Sequence, residues 1–227
     1  MSIITPRAVI FDLDGTLLDT LEDIGRSANQ VLEALGFPAR PIDAYRQFIG
    51  EGVGTLFVRA LPHGVAAHDA GLVARCTESF RATYGRGWNV ATRPYPGIPE
   101  LLDELVTRSL GLAVLSNKPD AFVRQCVGEY LARWPFRSAH GDRDGVPRKP
   151  DPTGALHAAD RLGVSPEGVL YLGDSSVDMT TAVRAGMVPI GAGWGFRTAD
   201  ELYSTGAARV ISHPLELIEV LDRAGDH

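Results

Sequence analysis

The stretch that decides the fold runs from Ala8 to Thr20 and reads AVIFDLDGTLLDT. Four apolar residues, Ala8, Val9, Ile10 and Phe11, are followed by two carboxylates two positions apart and then by Gly15-Thr16. A short apolar run ending in a turn signal predicts a buried β-strand. Asp12 and Asp14 then stand where the strand stops. In an open parallel α/β sheet, ligands bind in the crevice beyond the carboxyl ends of the strands. Two carboxylates held close repel each other unless a cation or a proton is shared between them. A divalent metal with oxygen ligands answers that repulsion, Mg²⁺ in particular where phosphate is bound as well. Asp and Gly after an apolar run are also ordinary turn chemistry, so the decision lies with the rest of the chain, where the pattern recurs.

Downstream, Asp19 or Thr20 can cap a helix through LEDIGRSANQVLEAL, with Gly36 as its stop and Pro38 and Pro41 beyond it. The pattern then stays helical: Tyr45 to Ile49, Val53 to Leu61 and Ala66 to Tyr84, with no strand expected between Leu21 and Thr92. An all-helical block early in a mixed chain indicates an insertion. The Pro-rich Arg93-Pro94-Tyr95-Pro96-Gly97 marks its return. From there strands and helices alternate. Strand Leu112–Leu115 ends in Ser116-Asn117-Lys118-Pro119, and a weaker strand is expected near Arg137–His140. A loop carries Lys149-Pro150 into the next helix. Strand Val169–Leu172 ends in Gly173-Asp174-Ser175-Ser176, with Asp178 in the following helix, and strand Val188–Ala192 ends in Gly193-Trp194-Gly195-Phe196. The expectation is an α/β fold: a Rossmann-like parallel sheet with helices on both faces, plus an inserted α-helical domain. The boundaries fall at 1–18 and 94–227 for the sheet domain and 19–93 for the insertion.

Composition narrows the function classes. The formal charge is −6 with no Lys/Arg-rich block, which argues against a nucleic-acid partner. No apolar stretch reaches the ~20 residues that cross a bilayer, and the N-terminus has no secretory pattern. Cys76 and Cys126 suit reduced thiols in a cytoplasm, packed within helices. The six histidines, His63, His68, His140, His157, His213 and His227, have no metal-ligand spacing and are expected to be surface or structural residues.

Three strand ends therefore carry polar groups: Asp12/Asp14, Ser116/Asn117 and Asp174/Asp178. Parallel strands bring these ends to one edge, and Lys149 lies in a loop along that edge. Carboxylates to hold Mg²⁺, with Lys149, Ser116 and the backbone N–H groups of Gly15-Thr16 to hold phosphoryl oxygens, suit phosphoryl transfer.

Asp12-Leu13-Asp14-Gly15-Thr16, Ser116-Asn117, Lys149-Pro150 and Gly173-Asp174-Ser175-x-x-Asp178 resemble the four motifs of the haloacid dehalogenase superfamily, in order and on the expected elements. The inserted domain resembles that superfamily's helical cap. Gly50-Glu51-Gly52-Val53, the Arg93–Gly97 stretch and Trp194-Gly195-Phe196 are most similar to those of its phosphoglycolate phosphatases. The resemblance implies that Asp12 is the nucleophile and a metal ligand. It implies that Asp14 is the general acid and base, with its carbonyl on the metal, and that Asp174 is a further metal ligand. Ser116, Asn117 and Lys149 would hold the phosphoryl group, and Asp178 would orient Lys149 or metal-bound water. As a helix-terminus acid, Asp178 also suits the macrodipole. Gly50, Glu51 and Gly52 are candidates for contacting the leaving group, or form a turn between helices. Arg46, Arg59 and Arg93 could each meet a substrate carboxylate or remain solvated.

The expected activity is hydrolysis of a small phosphorylated metabolite through an aspartyl-phosphate, with 2-phosphoglycolate the leading substrate and the chain a monomer or homodimer. Sugar phosphates, nucleotides, pyrophosphate and a β-phosphoglucomutase-like phosphomutase are the alternatives. A non-catalytic phosphate-sensing module fits less well, because every catalytic position is filled. The resemblance also implies that Asp14 argues against halide displacement, and that the absence of lysine from Leu21 to Thr92 argues against imine-based phosphonate cleavage.

Overall fold

A computed structural model describes residues 6–225; the expectations for Met1–Thr5, for His227 and for the side chain of His68 lie outside what is described. The described chain divides into two compact units. The first runs up to Leu18 and resumes at Pro94, and the second is Asp19–Arg93.

In the first unit β1 (Ala8–Phe11) is the centre of the sheet, all four residues buried. Later strands flank it: β4 (Gly111–Pro119) and β5 (Phe136–Asp142) on one side, and β6 (Val169–Gly173), β7 (Val188–Ala192) and β8 (Arg209–Ile211) on the other. The order is β5-β4-β1-β6-β7-β8, parallel throughout. Succession thus runs outward in both directions from β1, which makes its carboxyl end the switch point where such sheets open a crevice. Phe11 is level with Val114 of β4 and Leu172 of β6. The residues just past these, including Asp12, Ser116 and Asp174, therefore lie on the same rim.

Alternation along β1 explains why the sheet is covered on both faces. Ala8 and Ile10 join a buried cluster with Ala155, Ala158 and Ala159 of α7 (Thr153–Leu162) and Ala182 and Ala185 of α8 (Ser176–Ala185). Val9 and Phe11 point the other way and are likewise 0% exposed. Small residues on α7 and α8 let those helices approach the sheet closely. The unit is completed by α5 (Ile98–Thr107), α6 (Asp120–Tyr130), α9 (Ala199–Ser204) and α10 (Glu216–Gly225).

The second unit contains α1 (Leu21–Ala34), α2 (Val53–Ala60), α3 (Val65–His68) and α4 (Ala70–Gly87). Thr20 is the N-cap of α1 but makes no side-chain cap bond. Gly36, at φ +80, closes the other end, with Phe37 N–H donating to the Leu32 carbonyl. The expected helix over Tyr45–Ile49 is instead a 3₁₀ stretch, Ile42–Gln47, between Pro41 and Gly50, a span too short for α-helical pairing to establish itself. The expected helix from Ala66 to Tyr84 breaks at Asp69, whose carboxylate accepts Leu72 N–H at 2.8 Å and starts α4. Two short strands, β2 (Leu18–Asp19) and β3 (Arg93–Pro94), pair where the chain leaves and re-enters the first unit. Among the described residues no helix is long and apolar enough to cross a membrane, and both cysteines are buried thiols.

Candidate active site

Each acidic group reaches the rim from a strand end, and local geometry fixes its direction. Asp12 follows β1 directly, its N–H donating to the Leu172 carbonyl at 2.9 Å. Asp174 follows β6 and is gripped from both sides: Thr16 Oγ1 donates to its Oδ1 at 3.1 Å and Phe196 N–H to its Oδ2 at 2.8 Å. Two glycines make that grip possible. A Cβ on Gly15 (φ +85) would stand 2.3 Å from Asp174 Oδ2, and one on Gly195 would stand 2.2 Å from Asp174 Cβ. Trp194 ties the same loop down, its indole N–H donating to the Thr16 carbonyl at 3.0 Å.

Asp178 does two things. It forms a capping box with Ser175 at the start of α8, its Oδ2 accepting Ser175 N–H and Oγ–H at 3.1 and 2.5 Å. Its Oδ1 accepts a bond from Lys149 Nζ at 2.6 Å. The cap on α8 and the bond to Lys149 are therefore made by different oxygens of one carboxylate.

Lys149, 5% exposed, lies between two carboxylates, with Nζ 3.0 Å from Asp12 Oδ1 and 2.6 Å from Asp178 Oδ1. It also donates to the Leu115 carbonyl at 3.0 Å. Its backbone is clamped by Asn117, whose Nδ2 donates to the Lys149 carbonyl and whose Oδ1 accepts Lys149 N–H, both at 3.0 Å. The Asn117 amide thus fixes the loop that supplies the lysine. Ser116 is buried beside it, its Oγ accepting Lys118 N–H at 3.3 Å.

The electrostatics follow from crowding. Burial first, then the charge of Asp178, pushes the Asp12 carboxyl up from 3.8 to about 7, against the opposing pull of Lys149. Burial, then Asp178 and Asp12, pushes Asp174 well above the usual carboxylate range. Burial alone would lower Lys149, but Asp12 and Asp178 hold it well above its ordinary value. Carboxylate oxygens of Asp12, Asp174 and Asp178 lie within 4.8 Å of one another. An all-oxygen, carboxylate-rich set of this kind fits a hard divalent cation. All three also accept hydrogen bonds from the protein, Asp12 from Leu13 N–H, Asp174 from Thr16 and Phe196, and Asp178 from Ser175 and Lys149; Asp12 and Asp174 follow the adjacent strands β1 and β6.

Four of the expected residues, Asp12, Lys149, Asp174 and Asp178, thus share one buried cluster. Asp14, two residues on, is buried and paired with Lys118, whose Nζ lies 2.8 Å from Oδ1 and 3.2 Å from Oδ2. The N–H groups of Gly15 and Thr16 close the turn on the Leu18 and Leu13 carbonyls, at 2.9 and 3.3 Å. What Thr16 directs into the site is its hydroxyl, onto Asp174. Gly50, Glu51 and Gly52 lie in the second unit, in the turn before α2. Gly50 and Gly52 have φ of +120 and +89, and Glu51 pairs with Arg59. Arg46 pairs with Asp43 and Arg93 with Asp19.

Two features escape sequence reasoning. Lys118 is legible only as a lysine one residue beyond the polar pair at the end of β4. The Phe196 N–H that anchors Asp174 has no side-chain signature at all.

Residues 9–192 match the family described as haloacid dehalogenase-like hydrolase. The chain belongs to that family. Among its relatives, Phosphoglycolate phosphatase 1 of Pseudomonas aeruginosa is 31% identical, covering 97% of this chain and 82% of its own length. A phosphoglycolate phosphatase of Nitrosospira multiformis is 30% identical, covering 96% of each. A crystal structure from Lactobacillus delbrueckii subsp. bulgaricus, provisionally named a phosphoglycolate phosphatase, superposes with a TM-score of 0.87 at 30% identity, covering 96% of this chain and 98% of that one. These relatives agree with the expected fold and support the expected enzyme class among haloacid dehalogenase-like hydrolases, a phosphoric monoester hydrolase.

Proposed function

We propose that this hydrolase cleaves a small phosphate monoester through a phosphorylated Asp12, and that its substrate is 2-phosphoglycolate. The observation that carries the reading is Lys149, buried between Asp12 and Asp178 at hydrogen-bond distance from both. A carboxylate so placed is oriented to attack, and the ammonium beside it offsets charge as a phosphoryl group approaches.

An Asp12 oxygen attacks phosphorus, and the bond from phosphorus to the ester oxygen breaks. Asp14, as general acid, gives a proton to the departing oxygen. Asp14 then takes a proton from water, whose oxygen attacks the phosphorus and returns Asp12 with release of phosphate. General acid–base participation of this kind contributes about 10²–10⁴-fold. Asp12, Asp174 and the Asp14 carbonyl would hold Mg²⁺, which supplies positive charge against the phosphate oxygens. Ser116 and Lys149 hold the phosphoryl group, with Asn117 setting the lysine's loop. The second unit, as a cap, limits leaving-group size, with Gly50, Glu51 and Gly52 as its candidate contact residues. The substrate assignment rests on the named relatives.

Asp12→Asn replaces the nucleophile by a near-isostere. Hydrolysis should fall by at least about 10³-fold, toward what binding and electrostatics alone supply, with the thermal midpoint kept within a few degrees. A variant that retains phosphatase activity removes Asp12 from the mechanism. A panel of phosphate esters tests the substrate, and fast turnover of a sugar phosphate, nucleotide or pyrophosphate beside poor turnover of 2-phosphoglycolate would replace the narrow assignment.

A further inference from the structure

Two buried lysines, rather than one, stand among the carboxylates. Lys149 pairs with Asp12 and Asp178 and donates to the Leu115 carbonyl, which places it beside the proposed nucleophile, at the phosphoryl end. Lys118 stands at the other end, where its ammonium spans both oxygens of Asp14 at 2.8 and 3.2 Å. The two side chains are only 4% and 9% exposed.

An ammonium is costly to bury, and replacing a buried ion pair by apolar groups is often neutral or stabilising. A second buried cation here therefore points toward a ligand. Its backbone is held for the purpose. Lys118 N–H donates to Ser116 Oγ at 3.3 Å. The β5 chain passes so close that a Cβ on Gly141 would stand 2.3 Å from the Lys118 carbonyl.

We propose that Lys118 recognises a carboxylate on the leaving group, which makes the preferred substrates phosphorylated 2-hydroxy acids. The inference rests on the reading above, in which Asp14 meets the departing ester oxygen. In such an ester the carboxylate is one carbon removed from that oxygen. A group hydrogen-bonded to Asp14 is therefore within reach of the carboxylate when Asp14 is at the ester oxygen. Lys149 takes the phosphoryl charge and Lys118 the carboxylate charge, so the two ends of a small dianionic-plus-anionic substrate are each met by one cation.

The test compares kcat/KM for 2-phosphoglycolate with that for its neutral carboxamide, in the wild-type chain and in Lys118→Gln and Lys118→Arg. The wild-type acid-to-amide ratio should be roughly 10- to 100-fold, the size of one charge-assisted hydrogen bond. It should fall toward one in Lys118→Gln, chiefly through KM for the acid, and persist in Lys118→Arg. An unchanged ratio in Lys118→Gln, even with both esters slower, overturns the inference, since a lysine that only positions Asp14 slows acid and amide alike. A wild-type ratio near one overturns it without any variant. Lys118→Met, similar in length, carries the same comparison where the glutamine variant does not fold. If another phosphorylated hydroxy acid is the better substrate, the 2-phosphoglycolate assignment falls while the lysine's part is scored on that acid and its amide. If no carboxylated ester outruns its amide, the lysine's part falls and the Asp12 chemistry stands.

Discussion

Asp12 shows at the scale of one residue what the site costs the fold. Its carboxyl is raised from 3.8 to about 7 by burial and by Asp178. A carboxyl raised on folding binds its proton more tightly in the folded chain than in the unfolded one. Its contribution to stability is therefore full below about 4 and is lost as pH climbs through about 7. Asp174 is shifted in the same direction, so the two carboxyls work together. A dication held between them opposes the same repulsion and stabilises by mass action. Millimolar Mg²⁺ should consequently raise the thermal midpoint more at pH 8 than at pH 5, measured by calorimetry on the same protein. Equal increments at both pH values would show that Mg²⁺ acts elsewhere. Gly195 makes the companion case. In Gly195→Ala the new methyl would meet Asp174 Cβ at 2.2 Å and the Gly15 carbonyl at 2.5 Å. Overpacking of that kind costs about 1–3 kcal/mol, and the Mg²⁺-dependent gain should shrink with it as Asp174 is displaced. A variant with full stability and full Mg²⁺ response would show that the loop yields without moving the carboxylate.

At the scale of elements, strand ends were legible and side-chain partners were not. The apolar runs of β1, β6 and β7 and the polar residues after them identified both the strands and the rim, because a buried strand must be apolar and must stop where the crevice opens. The sequence places β4 correctly but ends it at Leu115, whereas pairing continues to Pro119 through an irregular register. Polar residues mark the start of a site, and they do not stop a ladder that β5 continues. Asn117 illustrates the other gap. Its position suggests a phosphate contact; its amide also holds both backbone groups of Lys149, across thirty-two positions of sequence. No spacing rule reports that pairing, since it depends on where the loop after β5 returns. Asn117→Ala should leave the Lys149 N–H and carbonyl without these partners, at about 1–3 kcal/mol for each buried group left unsatisfied. Because the lysine loop would lose its clamp, kcat should fall by at least about tenfold, with KM less affected. Denaturant unfolding and steady-state kinetics on the same variant separate the two effects, and wild-type kcat in a destabilised variant would show that Lys149 is held without the amide.

For the whole molecule, a helical block interrupts an alternating chain, and the chain divides into two compact units at Leu18/Asp19 and Arg93/Pro94. The side chains assigned to chemistry lie in the first unit: Asp12 and Asp14 after β1, Ser116 and Lys118 on β4, Lys149 before α7, and Asp174 and Asp178 around the start of α8. That unit also holds the whole six-stranded sheet and its buried Ala8–Ile10 cluster. The two crossings pair as β2 and β3, so their ends are adjacent and a tight Asn-Gly turn can join them. Replacing residues 20–92 by such a turn should therefore give a chain that unfolds cooperatively and still gains stability from Mg²⁺, because the carboxylates that would hold the ion remain. Substrate choice should split along the same line. Preference for the acid over its amide depends on Lys118 and should survive the excision, whereas discrimination between small and bulky phosphate esters depends on the removed unit and should be lost. A shortened chain that keeps its size selectivity would move that function out of the Asp19–Arg93 unit. One that folds but no longer responds to Mg²⁺ would mean that the helical unit, rather than the sheet alone, holds the carboxylates in register.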